Sequence, residues 1–353
     1  MKKKTSPLWK EVVHTLAQNG TPDFGQPSQS KQKILFGQGS DLADKKAWEN
    51  RAKRKLISQA MNLGLIQAVE KKGEPERKQD YWNPFHCQKK FLTNDGRAHG
   101  EYCKTRSCLL CSSIRKAAII NRYLPEIKTW EAPCFVTLTA RTVKAENLDK
   151  RMAEYMEKFK TILERLKKRH QRGKGVQPVG IKSLECNFNA KKRWYNPHFH
   201  LIVESEACAK AFVVEWLKDW TLVHAEPQSQ KIIRVRNIEK CLIEVVKYSS
   251  KIFTDPDLTK KGTLPKQIYA AAMDNIFQAM KPHRIFDRFG FNLQPVAKEG
   301  PVKIVPESQC KDFVFAVEVF DWVNAKTGER LTGYTPTAQL DWLLNENIDT
   351  DLQ

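Results

Sequence analysis

The stretch VGIKSLECNFNAKKRWYNPHFHLIVE, residues 179–204, reads as a β-hairpin. Val179 to Phe188 forms one strand, Asn189 to Pro197 the turn, and His198 to Glu204 the second strand. Upstream, CFVTLTA (134–140) is short and β-branched, bounded by Pro133 and Arg141, and reads as a buried strand. Between them, Leu148 to about His170 carries Met152, Tyr155, Met156, Phe159, Ile162 and Leu166 at spacings of three and four. That pattern is an amphipathic helix, ended near Arg172 and Gly173. Downstream, Ala207 to about Leu222 returns to helix, Lys231 to Arg236 to strand and Ile238 to Phe253 to helix. The order β-α-β-β-α-β-α predicts an α+β chain built on a ferredoxin-like antiparallel sheet with helices on one face.

The flanks divide the rest. Residues 1–40, rich in Gly, Pro, Ser and Gln, read as a mobile polar arm. Within 41–80, Asp41 to about Lys71 has Trp48, Leu56, Met61, Leu65 and Val69 at helical spacing on a charged background, until Gly73 and Pro75 stop it. Such a basic helix either lies along DNA or presents a solvated face on a packed helix. Residues 81–133 form a loop-rich, cysteine-rich module, 134–255 the core, and 256–353 an α/β extension. In the extension, Pro265 to Met280 reads as a helix and Phe313 to Val323 as a strand returning through an Asn324–Gly328 turn.

Three constellations carry chemistry. In a strand, residues i and i+2 point to the same side, so His198 and His200 project together as a two-nitrogen metal site, or as two surface histidines on an exposed strand. A hairpin centred near position 192 sets Glu185 opposite His200, completing a two-histidine, one-carboxylate face with open positions. Without thiolate, that donor set suits Mg²⁺ or Mn²⁺ holding phosphate oxygens.

The second constellation is Glu244, Tyr248 and Lys251 in IEVVKYSSK (243–251), which stand at i, i+4 and i+7 on one helix face. A tyrosine hydroxyl attacks phosphorus, but its free pKa of about 10 leaves it protonated unless an ammonium and a metal-bound phosphate favour the phenolate. A carboxylate one turn away serves as general base for water. The same residues also read as a Glu–Lys surface pair beside a half-buried tyrosine.

The third is Cys103-x4-Cys108-x2-Cys111, with Cys87 fifteen intervening residues earlier. Close-spaced thiols suit a tetrahedral structural Zn²⁺; Cys87 is the candidate fourth ligand, with His86 and His99 as competitors, and unligated reduced cysteines as the alternative. Cys134, Cys186, Cys208, Cys241 and Cys310 read as small core or surface residues. Trp194 and Tyr195, in the hairpin turn, either stack on an unpaired base or close the hairpin by packing. The neighbouring run Lys191, Lys192 and Arg193 reads as a solvated face.

CFVTLTA, NPHFHLIV and EVVKYSSK stand in the order and rough spacing of three motifs of rolling-circle plasmid replication initiators. These belong to the superfamily of histidine–hydrophobic–histidine (HUH) endonucleases. The resemblance covers about residues 80–295, including the basic segment RIFDRFGF (284–291). It is similar to the single-tyrosine branch, in which a glutamate supports termination. The resemblance implies that His198, His200 and Glu185 hold the catalytic cation and that Tyr248 attacks a scissile phosphate, leaving a 5′-phosphotyrosyl link and a free 3′-OH primer. It further implies that Glu244 activates water at closure and Lys251 neutralises charge beside the tyrosine. The cysteine pattern also resembles a cluster preceding the first motif in these initiators. The first motif departs from its relatives at Thr139-Ala140-Arg141, and nothing matches the region before residue 80. Implied partners are duplex and single-stranded origin DNA, with a host helicase, single-strand-binding protein and DNA polymerase. The rival readings are a single-tyrosine transposase or relaxase, and a non-catalytic, zinc-stabilised DNA-binding regulator.

Composition agrees with a polyanionic partner. Lys and Arg total 60 against 40 acids, a formal +20 over 353 residues. There is no apolar run of about 18 residues, which argues against a membrane partner. The start, MKKKTSPLWKEVVH, lacks the apolar stretch of a signal peptide, so the expected location is cytoplasmic and the nine cysteines are expected reduced or metal-bound.

Overall fold

The computed structural model describes residues 33–35, 39–221, 224–246, 266–295, 303–305 and 309–337. In chain order these hold strands β1 (Lys33–Leu35) and β2 (Ser40–Asp41), helices α1 (Lys45–Lys71) and α2 (Gln79–His86), and strands β3 (Lys90–Asn94) and β4 (Arg97–Gly100). Then follow α3 (Leu109–Ile127), β5 (Cys134–Thr139), α4 (Leu148–Gln171), β6 (Gly180–Asn189), β7 (Trp194–Val203), α5 (Glu206–Asp219) and β8 (Lys231–Arg234). The chain continues through α6 (Ile238–Val245), α7 (Lys266–Met280), β9 (Phe286–Phe289), β10 (Lys303–Val305), β11 (Lys311–Ala316) and β12 (Asp321–Asn324). The architecture is α+β, with two five-stranded antiparallel sheets and a small β1–β10 pair. Contacts group it into two units, residues 113–295 and residues 1–112 with 296–353. Of the polar arm, only 33–35, 39 and 40 are among the described residues.

The unit 113–295 has the strand order β8-β5-β7-β6-β9, every neighbouring pair antiparallel. The β6–β7 hairpin closes on the four residues 190–193. Asn189 Oδ1 accepts the Lys192 N–H at 3.0 Å, and Arg193 takes the left-handed conformation (φ 54°) that reverses the chain. Side chains then alternate. Val136, Leu138, Leu184, Phe199 and Leu201 turn to the face covered by α4 and α5, where they pack with Tyr155, Phe159, Phe212 and Trp216. Phe159 stacks on Phe212 at 5.5 Å, and Tyr155 meets Trp216 edge-on at 5.0 Å. Burying each such side chain contributes about 1.5–3 kcal/mol relative to exposure. Two buried polar tips are satisfied by the strand end: Tyr155 Oη accepts the Ala140 N–H at 2.5 Å, and Trp216 Nε1 donates to Thr139 O at 2.9 Å.

The sequence reading placed helices on one face; the structure covers both. Ile181 and Ile202 face the other way and pack with Ile127 of α3 and with Leu242 and Val245 of α6. Helix α3 was hidden in a segment read as loop-rich, and β7 begins at Trp194, so Asn196 and Pro197 belong to the strand. Helix α6 ends at Val245, capped by Val246, where the reading ran to Phe253; residues 247–265 lie outside those described.

In the other unit the sheet order is β12-β11-β3-β4-β2. Its core is aromatic: Trp48 meets Phe91 at 5.2 Å, and Phe91 meets Trp322 at 5.1 Å. Helix α1 starts later than read, because Asp44 is its N-cap and accepts the Ala47 N–H. The single strand read over Phe313–Val323 is two strands, broken by a 3₁₀ turn at Val317–Val319 and by Phe320 at φ 57°.

Candidate metal centres

Register decides the first centre. Glu185 pairs with His198, and Ser183 with His200. A hairpin centred near position 192 sets Glu185 opposite His200, two residues away from this register. A two-residue slip preserves parity, so the carboxylate remains on the histidine face. There it lies between the rings. Glu185 Oε1 is 3.3 Å from His200 Nδ1, and Oε2 is 3.7 Å from His198 Nε2. All three residues are buried, and one ligand atom from each falls within 4.8 Å of the others. Donors about 2.1 Å from one cation at right angles stand about 3.0 Å apart, so small side-chain adjustments close the site.

Local bonds orient the donors. His198 Nδ1 lies 3.0 Å from Asn196 O; as an N–H donor there, it leaves Nε2 with its lone pair toward Glu185. His200 packs its ring 4.9 Å from Phe135. Its Nδ1 and the Ser183 Oγ are buried with no hydrogen-bond partner among the described residues, as expected where a cation or its water belongs. Asn196, two residues from His198 on the same face, accepts the Thr139 hydroxyl at 3.1 Å. Neither Ser183 nor Asn196 was singled out in the sequence. The alternation that paired the histidines reaches both, at two residues before Glu185 and two before His198.

Glu244 lies in α6, whose Leu242 and Val245 pack on Ile181 and Ile202 of this same face. Its carboxylate and burial together push the Cys241 thiol up to about 12, burial being the larger cause. Tyr248 and Lys251 lie outside the described residues.

The second centre is the cysteine cluster. Cys87, Cys103, Cys108 and Cys111 bring their sulfurs within 4.8 Å of one another. Cys87 is the fourth member; neither His86 nor His99 joins it. Cys111 Sγ is 3.5 Å from Cys87 Sγ and 3.7 Å from Cys103 Sγ. Four sulfurs about 2.3 Å from one zinc would stand about 3.8 Å apart. The backbone builds this cage with two left-handed residues, each following a cysteine: Gln88 (φ 57°) and Lys104 (φ 59°). These turns accompany N–H donors aimed at sulfur, from Cys103 to Cys87 at 3.4 Å and from Lys104 to Cys111 at 3.3 Å. Such donors favour thiolate.

In sequence Lys55 belongs to a basic helix, yet it is 1% exposed and anchors the cluster's first loop. Its Nζ donates to Phe85 O at 2.7 Å and to Cys87 O at 2.6 Å. Burial pushes its ammonium down to about 8, opposed by the nearby sulfurs of Cys87, Cys108 and Cys103. Among the other cysteines, Cys134, Cys186 and Cys208 are buried small core residues, and Cys241 and Cys310 are partly exposed.

No helix among the described residues is long and apolar enough to cross a membrane. No family model matches the chain, and no solved structure matches it. The chain is 32% identical over 165 residues to Protein rep of Staphylococcus aureus, covering 42% of this chain and 69% of that protein. It is 30% identical over 128 residues to Protein rep of a Bacillus species, covering 34% of this chain and 40% of the relative. Protein rep of Bacillus amyloliquefaciens is likewise 30% identical over 128 residues, covering 34% and 36%. The matched region is thus under half the length of either Bacillus protein.

Proposed function

This chain belongs to the Rep protein family, and from that premise we propose that it is a plasmid replication initiator of the HUH superfamily. It nicks one origin strand by metal-dependent tyrosine transesterification. One observation carries the reading: Glu185, His198 and His200 converge on the sheet face that α6 also covers, and α6 leads within three residues to Tyr248. The order of the four consecutive core strands, β8-β5-β7-β6, is fourth-first-third-second, which supports a ferredoxin-like core.

His198 Nε2, His200 Nδ1 and a Glu185 oxygen would hold Mg²⁺ or Mn²⁺, since two imidazoles and a carboxylate leave positions open for phosphate oxygens. When bound, the cation polarises the scissile phosphate and neutralises charge developing on it. Tyr248 attacks phosphorus. The P–O3′ bond breaks, the tyrosyl oxygen takes the 5′-phosphate and gives its proton to solvent, and the 3′-oxygen gains a proton from solvent to leave as the hydroxyl that primes synthesis. Lys251 favours the phenolate, and Glu244 accepts a proton from water when replication closes. The four cysteines would hold a structural Zn²⁺. The +20 charge supplies sequence-independent contacts to phosphates of duplex and displaced strand. Host helicase, single-strand-binding protein and polymerase complete the process in the cytoplasm.

The test is a labelled single-stranded origin oligonucleotide incubated with the protein and Mn²⁺, then run on a denaturing gel. A covalent adduct absent from Tyr248→Phe is expected. An adduct that persists in Tyr248→Phe removes that residue, and no adduct with folded wild type favours a non-catalytic DNA-binding regulator.

A further inference from the structure

Beside the hairpin turn lies a cavity of about 290 Å³ that the mechanism does not use. Its walls come from the segment after β5, from the start of α4 and from Trp194 at the start of β7. The backbone makes it. Val143 and Tyr195 exchange both hydrogen bonds, at 2.9 and 2.7 Å, which draws residues 142–144 against the first turns of the hairpin strand. The two aromatic neighbours then part company. Tyr195 is buried, its ring 4.9 Å from Phe188 and its hydroxyl accepting from Asn275 Nδ2 at 2.8 Å. Trp194 stays half-buried on the cavity wall.

The other walls are cationic. Lys144 and Lys150 are exposed and make no ion pair among the described residues. Glu154, the acid in the lining, is paired with Arg151 at 3.2 Å, and Arg151 is further fixed by donating to Arg141 O at 2.7 Å. Lys191, Lys192 and Arg193 stand exposed in the adjoining turn. A free indole surface, two unneutralised ammonium groups and a neutralised acid make a site for a planar ring bearing a phosphate. Its volume lies just below the usual range of ligand pockets, about 300–1,000 Å³, a size closer to one nucleotide than to a duplex.

We infer that this cavity receives one unpaired nucleotide of the DNA strand, its base against Trp194 and its phosphate on Lys144 and Lys150. The inference rests on the strand-cutting reading for its placement. Trp194 precedes His198 by four strand residues, about 13 Å, so the captured nucleotide lies a short way along the same strand from the scissile phosphate. Stacking is tolerant of base identity, so the pocket fixes the strand's path and register.

The test uses the full chain in EDTA and fluorescence anisotropy of a labelled mixed-sequence single strand and of its duplex. Trp194→Ala should weaken single-strand binding about tenfold, leave duplex binding unchanged, and be largely rescued by Trp194→Phe. Lys144→Ala with Lys150→Ala should lower the salt slope of single-strand binding by about 0.7, the value for one phosphate on a single strand. Wild-type affinity in Trp194→Ala, or equal loss for both DNAs, overturns the pocket. As a check independent of variants, ultraviolet crosslinking of wild type to an iododeoxyuridine strand should label the peptide carrying Trp194; labelling only elsewhere also overturns it. These measurements need no divalent cation, so they fail separately from the cleavage reading. A wild-type adduct in Mn²⁺ with indifferent Trp194→Ala sinks the pocket alone; Trp194-dependent binding without any adduct supports the pocket and sinks cleavage.

Discussion

Glu185→Gln keeps the size and hydrogen-bonding capacity of the side chain and removes its charge, which makes its effect on stability depend on metal. The carboxylate is 3% exposed and spans both imidazoles, with contacts of 3.3 and 3.7 Å. At Mn²⁺ one hundredfold above its dissociation constant, wild type gains about 2.7 kcal/mol from binding. For a unit of this size that raises the melting temperature by roughly 5–10 °C. Even a group that merely orients a metal ligand costs about 10–100-fold in affinity when removed, so loss of a direct donor costs about 100-fold or more. At the same Mn²⁺ concentration the variant then gains only about 0.4 kcal/mol, or roughly 1 °C. In EDTA neither protein has this contribution, so each Mn²⁺ increment is read against that protein's own EDTA baseline. Scanning calorimetry of both proteins, with EDTA and across a Mn²⁺ titration, measures all four values. An equal Mn²⁺ shift in wild type and variant refutes the reasoning.

Three further outcomes follow from other parts of the molecule. Elemental analysis should find one zinc per chain in wild type and a substoichiometric amount in Cys103→Ser; undiminished zinc in the variant contradicts the four-sulfur cage. Lys182 is 7% exposed, and burial pushes its pKa down to about 8 from 10.5. The folded chain therefore loses that proton before the unfolded one, so wild-type stability rises between pH 8 and 10.5 and the penalty, at most about 3 kcal/mol, is fully present below pH 8. Lys182→Met should accordingly be more stable at pH 7, with an advantage that shrinks toward pH 10.5; an advantage independent of pH rejects this. Tyr155→Phe leaves the buried Ala140 N–H without its acceptor and should cost about 1–3 kcal/mol in urea denaturation, whereas wild-type stability would show that the bond is replaced.

The hairpin and its flanks were legible because each element carries its own period: alternation through Leu184, Cys186, Phe199 and Leu201, and threes and fours through Met152, Tyr155 and Phe159. Alternation also placed Glu185 on the histidine face, since only parity is needed for that. The exact partner was out of reach, because register depends on where the turn closes, and Arg193 in a left-handed conformation shortens it to 190–193. The cysteine spacing exposed the sulfur cluster, while Lys55, about thirty residues away in sequence from the loop it ties, looked like any surface lysine of a basic helix. Least legible was the pairing of Phe313 in β11 with Phe91 in β3, which brings together distant parts of the chain and leaves no local trace in either segment. Trp194 and Tyr195 looked equivalent; only the bond of Asn275 to Tyr195 and the position of Val143 separate the core residue from the cavity wall.

Whether the histidine–carboxylate face directs a tyrosine attack on DNA is measured most directly by mass spectrometry of the covalent protein–DNA product after proteolysis, for wild type with and without Mn²⁺ and for His198→Ala. The expected result is a nucleotide attached to Tyr248, formed only with the cation and lost in His198→Ala. Attachment at another residue, or undiminished adduct in EDTA, contradicts it.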